Sequence, residues 1–215
     1  SLITTIDYIK NIQKDTLKPL KFIHITKCSG SFIEDLGKKY NLKWGKFDKD
    51  YKAFWHNLPC KTVREKYDYF MLVRNPYDRV LSEYYDKWAG KGYTYNHNKH
   101  QFNSFLINKL KGKDVNIRHH FAKQELYILE DIKPYIIKVE NMYEMLPILF
   151  SKYNLNIDIN SLKPTNIRSQ QNKLSSNIKS FTINDFNDNL INIINRVYKN
   201  DFELFSYDMI DTNKN

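Results

Sequence analysis

Lys21-Phe22-Ile23-His24-Ile25-Thr26-Lys27-Cys28-Ser29-Gly30-Ser31-Phe32-Ile33-Glu34-Asp35-Leu36 is the stretch whose reading decides the fold. A run of β-branched and aromatic character leads into a turn of small residues that carries one lysine, Lys27. Apolar positions then recur at Phe32, Ile33 and Leu36, which is helical spacing. The sequence therefore predicts a strand, a tight loop and a helix. Amide N–H groups at a helix start lack an intrahelical partner, and the positive end of the helix dipole points the same way, so such a loop suits an anion. Lys27 adds a mobile full charge, and Ser29 and Ser31 add hydroxyl donors. The G-x-x-x-x-G-K-[ST] pattern of a Walker A loop is absent. An ordinary βα turn with a surface lysine shares the same residues.

A second stretch narrows the choice. Tyr69-Phe70-Met71-Leu72-Val73 is an apolar strand, followed by Arg74-Asn75-Pro76-Tyr77-Asp78-Arg79-Val80-Leu81-Ser82-Glu83-Tyr84. Pro76 suits the first turn of a helix, and Val80, Leu81 and Tyr84 give that helix an apolar face. Arg74 falls at the carboxyl end of the strand, and Ser82 lies two turns along the helix. Two strands thus end in anion sites, and in an open parallel sheet ligands bind at that edge. A ligand with two phosphate-like groups is the natural inference. Only six of the 34 basic residues are arginine, so Arg74 and Arg79 within one motif read as planar, forked donors for bidentate phosphate recognition.

Lys27-Cys28-Ser29-Gly30-Ser31 resembles the 5′-phosphosulfate loop of the sulfotransferases, usually written P-K-T-G-G-T-S. Thr26 stands where that pattern has Pro, and Cys28 replaces its Thr. Arg74 to Tyr84 resembles the 3′-phosphate motif of the same family, R-[DN]-P-x-x-R-x-x-S-x-Y. Tyr198-Lys199-Asn200-Asp201-Phe202-Glu203-Leu204-Phe205-Ser206-Tyr207 is similar to the terminal Y-x-x-D-F-x-x-F-G-Y of the branch that includes carbohydrate sulfotransferases of the heparan type. The resemblance runs from about Lys21 to Tyr207.

It implies a three-layer α/β/α fold with a central, mainly parallel sheet, P-loop-like. It implies 3′-phosphoadenosine 5′-phosphosulfate (PAPS) as sulfuryl donor, with Lys27, Cys28, Ser29, Gly30 and Ser31 on the 5′-phosphosulfate and Arg74 and Ser82 on the 3′-phosphate. Asn166 and Arg168 lie where related enzymes fold a loop over the nucleotide, which makes Arg168 a second 3′-phosphate ligand. The acceptor would be a hydroxyl, on a glycan by analogy with the carbohydrate branch. Lys27 would neutralise charge growing on the bridging oxygen as the bond to sulfur breaks. No metal is implied, because protein cations meet the charge.

His56 is the candidate base. Histidine takes a proton near neutral pH, and the loop between the two anion-binding strands, rich in Tyr51, Phe54 and Trp55, could aim it at a reacting hydroxyl. A histidine in similar placement is the base of carbohydrate-type sulfotransferases. Asp48 and Asp50 are the runners-up, and a histidine packed on Trp55 is the plainer reading.

Composition bounds the rest. The 215 residues suffice for one domain, expected to span 1–215, with 1–20 as a helical extension and 21–207 as the core. Hydrophobic residues at 41% and aromatics at 15% argue for a folded protein. The net charge of +10 favours anionic partners. A nucleic-acid-binding module would need a clustered basic helix or a binding motif, whereas the charges here are dispersed. A nucleotide or small-molecule kinase would need a Walker A loop and an acidic Mg²⁺ ligand. Cys28 and Cys60 make no disulfide framework and no C-x-x-C metal spacing, and Cys28 reads as structural. No run is long enough to span a membrane. Placement in the cytoplasm, or in the Golgi lumen after loss of an N-terminal anchor, fits equally.

Further along, Leu42 to Phe47 is expected as a short strand, Lys61 to Lys66 as a short helix and Phe102 to Leu110 as a helix. Tyr135 to Val139 is expected as a strand, Met142 to Ser151 as a helix, and Ile183 to Phe202 as one long amphipathic helix. Trp88 to Gln101 reads as a surface loop, a lid or acceptor loop. Adjacent His119 and His120 have no third ligand at metal spacing and read as acceptor contact or packing.

Overall fold

The computed structural model describes residues 17–49, 58–86, 88, 90, 96–163 and 180–212. The chain divides into two compact units, residues 1–74 with 127–163, and 75–126 with 164–215.

The first unit holds a parallel sheet of β1 (Leu20–Ile23), β2 (Asp68–Val73) and β3 (Tyr135–Lys138), in that order. Phe22 pairs with Phe70, and Phe70 with Tyr135. Tyr69 to Val73 are all buried, so both faces of β2 are covered, as parallel strands require. Phe22 and Phe70 lie on one face with ring centroids 5.0 Å apart, and Trp44 meets Phe70 edge-on at 5.1 Å. Trp44 also stacks at 5.6 Å on Phe150 of the helix Met142–Lys152, and its indole N–H donates to the Leu20 carbonyl at 2.9 Å. Burying each such ring is worth roughly 1.5–3 kcal/mol. Two further helices belong to this unit: α1 (Gly30–Lys39), directly after β1, and the short α2 (Lys61–Arg64) before β2.

Leu42 to Phe47 is not the strand its composition suggests. Gly45–Phe47 is a 3₁₀ turn, and Gly45 sits at φ +54, where a Cβ would collide with the Glu34 carboxylate. A buried carboxylate, not hydrophobic pattern, shapes this segment.

The second unit is helical. It contains α3 (Pro76–Tyr84) and α4 (Lys99–Lys111). In chain order the helix Met142–Lys152 of the first unit is α5, and α6 (Asp188–Val197) and α7 (Lys199–Leu204) follow in the second. Its core gathers Tyr84, Phe102, Phe181, Leu190, Ile194 and Phe202. Phe102 and Phe181 stack at 4.2 Å, and Tyr84 meets Phe102 edge-on at 4.7 Å. The single long helix expected over Ile183 to Phe202 is in fact broken. Ile183–Asp185 is a 3₁₀ turn closed by a Thr182–Asp185 capping box, and Asn187 then caps α6 by accepting from Leu190 N at 2.9 Å. Short polar side chains compete for backbone N–H groups and start a new helix where the apolar period continues unbroken. Ile191, Ile194 and Tyr198 are buried as the spacing predicts.

Among the described residues, no helix is long and apolar enough to cross a membrane.

Candidate active site

β1 leads into His24, Ile25 and Thr26, all buried, and then into a loop bent by two left-handed residues, Lys27 (φ 61) and Ser29 (φ 60). Cys28 between them is buried and in no disulfide, and its N–H donates to the Ile25 carbonyl at 3.3 Å. Left-handed residues in a turn curl successive N–H groups to one side, the geometry of an anion nest. α1 then starts without help. Ser29 occupies the cap position but its side chain makes no capping bond, and no acidic residue stands in the first turn. Ile33 N is the first amide to reach a helix carbonyl, that of Ser29 at 3.2 Å. The amides of Gly30, Ser31 and Phe32 have no acceptor within the helix, and the dipole's positive end lies with them.

At the end of β2, half-buried Arg74 donates from Nη1 to the Lys27 carbonyl at 3.3 Å. The two strand ends are therefore brought together: Lys27, Cys28, Ser29, Gly30, Ser31 and Arg74 share one edge of one sheet. The next two residues of the motif are helix-start chemistry. Asn75 Oδ1 accepts from Tyr77 N at 3.0 Å, and Pro76 opens α3. Ser82 lies half-buried on α3, in the second unit. His56, Asp50, Asn166 and Arg168 lie outside the described residues. Asp48 is buried, and its carboxylate accepts from Lys21 Nζ at 2.5 Å, so it is tied into an ion pair beside β1.

The sulfotransferase family model matches residues 22–208. The chain belongs to the sulfotransferase family. No curated protein and no solved structure matches it. The match includes both strand-to-helix junctions, and the parallel sheet with flanking helices is the α/β sulfotransferase fold. Sulfuryl transfer is accordingly the chemistry that this membership supports.

The second arginine of the sulfotransferase motif does not serve as the sequence suggests. Arg79 is fully buried, at 1% exposure; its Nη1 donates to the Ala122 carbonyl at 2.5 Å and its Nη2 lies 3.6 Å from Glu83 Oε1. Its fork is turned onto these buried partners inside the second unit. Around it, buried groups grip the backbone of residues 121–125. Glu83 accepts from Phe121 N at 3.4 Å and pairs with His120 Nδ1 at 2.7 Å. The Tyr198 hydroxyl donates to the Phe121 carbonyl at 2.7 Å, and Asp201 accepts from Gln124 N at 2.9 Å and Glu125 N at 2.8 Å. Burial raises the pKa of both Tyr198 and Asp201. Burial, reinforced by the neighbouring His120, lowers that of His119. Tyr84, the last residue of the motif, is pushed up to about 12 by burial and by Tyr85, and its hydroxyl lies 3.0 Å from His97 Nδ1. Adjacent His119 and His120 are thus parts of this network. Among the described residues, no group of three His, Cys, Asp or Glu stands where it could hold a metal.

The terminal motif is structural in the same sense: Tyr198 and Asp201 fasten residues 121–125, and Phe202 packs at 5.1 Å on Tyr77. Ser206 has φ 53, and it stands where the terminal pattern carries glycine; Ser29, at φ 60, stands at the first glycine of P-K-T-G-G-T-S. Those glycines mark left-handed backbone positions. Sequence reasoning missed Glu83 and Gln124, both fully buried. For Glu83 the signal was a carboxylate inside otherwise apolar helical spacing; Gln124, between Lys123 and Glu125 at the turn Gln124–Tyr127, carried none.

Proposed function

We propose that this sulfotransferase moves a sulfuryl group from PAPS to a hydroxyl of a carbohydrate acceptor. One observation carries the donor reading: Arg74, at the end of β2, is bonded to the carbonyl of Lys27, which opens the uncapped start of α1. A cation and a set of helix N–H groups on one strand end, and a forked cation on the next, suit a ligand with two separated anionic groups. The residues present fit PAPS on this ground. Lys27, Ser29, Gly30 and Ser31 would hold its 5′-phosphosulfate, on the loop shape kept by Cys28. Arg74 would hold the 3′-phosphate, with Ser82 and Arg168 in the roles that family likeness gives them.

PAPS supplies the activated sulfuryl group, which passes to the acceptor oxygen and leaves adenosine 3′,5′-bisphosphate. Lys27 lends positive charge where negative charge develops. His56, by likeness of placement, takes the acceptor's proton. The carbohydrate acceptor rests on the likeness of Tyr198 to Tyr207 to the terminal pattern of that branch, and the net charge of +10 suits an anionic glycan. Residues 21–207 are read as one sulfotransferase domain, since the family match spans both units.

Calorimetry without metal, with adenosine 3′,5′-bisphosphate, adenosine 5′-phosphate and ATP, tests the reading. Losing a charge-assisted contact to the 3′-phosphate costs about 1.5–3 kcal/mol, so the bisphosphate should bind more than tenfold tighter than the 5′-phosphate. Equal affinities would remove the 3′-phosphate assignment, and a preference for ATP would point to a kinase.

A further inference from the structure

Directly behind the donor loop lies a polar pair that the chemistry above does not use. His24, at 5% exposure, and Glu34, at 1%, face each other with Nδ1 and Oε1 2.8 Å apart. The same Oε1 accepts from Lys46 N at 2.9 Å, and Lys46 Nζ lies 3.6 Å from Oε2. Glu34 is thus held by the turn that Gly45 permits, and it holds the imidazole in turn. A carboxylate on Nδ1 keeps the proton there and fixes both tautomer and ring orientation. The ring lies against Gly30, the first residue of α1. A Cβ built on Gly30 would come within 2.5 Å of Nε2 and 2.6 Å of Nδ1, closer than real side chains approach. Packed apolar side chains of the same volume would fill this space with no desolvation cost, so stability alone is a poor reason for a buried His–Glu pair.

We propose that His24 is a positioning residue for the donor: its imidazole, oriented by Glu34, is the surface against which Gly30 seats, and it sets where the first amides of α1 point. The inference rests on reading Lys27 to Ser31 as the 5′-phosphosulfate loop. Gly30 is glycine because the ring needs that contact, and the three amides of the first turn move with it. A displacement of about 1 Å among positioned groups can cost as much as 10²-fold in rate, and amides turned off the 5′-phosphate lose their bonds to it.

The test compares two ligands, adenosine 3′,5′-bisphosphate and adenosine 3′-phosphate, by calorimetry on the full chain. Their affinity ratio reads the 5′ loop alone. The parent should favour the bisphosphate by more than about tenfold, the worth of charge-assisted bonds to the 5′-phosphate. In His24→Ala that ratio should fall to about threefold or less, with 3′-phosphate affinity within about twofold of the parent. His24→Asn can still donate to Glu34 and keeps the fold if alanine does not, yet puts no ring on Gly30; it should lose the ratio too. Gly30→Ala should lose it by collision, and adding His24→Ala to Gly30→Ala should recover part of the loss by removing the ring. An unchanged ratio in His24→Asn and Gly30→Ala overturns the proposal, and so does an equal fall for both ligands, which marks a general structural role. A parent without bisphosphate preference defeats the donor reading itself, and the proposal with it; that result is seen in the parent alone.

Discussion

The chain makes the same turn twice, from a parallel strand into a helix, and closes the two junctions differently. After β1, the helix starts on Ser29 in left-handed backbone, with no side-chain cap and no acidic residue in its first turn. After β2, Asn75 caps the helix through Tyr77 N and Pro76 supplies the first residue. The first junction leaves its first amides without a side-chain cap. The second uses its own side chains to satisfy the helix start, beside half-buried Arg74. Two anionic ends of one ligand can be met by different physics, backbone at one and guanidinium at the other. The difference also separates the two arginines: Arg74 is half-buried beside the loop, Arg79 wholly buried on Glu83 and Ala122.

The largest expected effect tests that separation. Arg79→Ala removes the cation facing Glu83, which is 0% exposed, and orphans the Ala122 carbonyl. Breaking a buried pair costs about 3–5 kcal/mol, and the value should fall toward the lower end because His120 still faces Glu83. Denaturant unfolding measures it. Unfolding indistinguishable from the parent would mean the fork is not structural and would reopen a ligand role.

Arg74→Lys should do the reverse. The charge stays and the fork goes, so stability should change by less than about 0.5 kcal/mol while bisphosphate affinity falls roughly tenfold. Parental affinity in calorimetry would make Arg74 a generic cation and its motif match accidental.

These contrasts explain what the sequence could and could not disclose. β2 was legible because an apolar run buried on both faces leaves a plain signal, and β1 and β3 because short runs of β-branched and aromatic residues do. The placement of the loop and of Arg74 at neighbouring strand ends was legible because lysine, small residues and a strand end are all local features. Arg79 was misread because its partners, Glu83 and the Ala122 carbonyl, are identified by burial, and sequence spacing does not report which side of a helix meets a buried carboxylate. Leu42 to Phe47 was misread as strand for the same reason, since Glu34 decides the backbone at Gly45 from another element. The break at Asn187 was readable in principle, as a cap residue inside an apolar period.

The capping difference gives the third prediction. Asn75→Ala removes the bond to Tyr77 N and should destabilise by about 1 kcal/mol, the usual worth of an N-cap. Ser29→Ala, at the equivalent place in the first junction, removes no capping bond and should change stability by less than about 0.5 kcal/mol. Thermal unfolding of the pair decides; equal losses would show that Ser29 caps α1 in solution and that the two junctions are alike.

The smallest effect is expected of Ser29→Gly, which restores the glycine of the family pattern at φ 60. A left-handed conformation costs a residue with a Cβ roughly 1–2 kcal/mol, and glycine escapes that cost. Glycine also gives the unfolded chain more freedom, which takes back about 0.4–1 kcal/mol. The balance runs from about zero to a gain of about 1.6 kcal/mol, so no net loss is expected. Donor affinity should hold if the loop binds through backbone amides, because the substitution leaves every N–H in place. It should fall severalfold if the Ser29 hydroxyl is itself a ligand. Measuring unfolding and bisphosphate affinity on the same variant separates the two contributions. A stability loss would mean that the left-handed turn at Ser29 is not the strained element its backbone angle implies.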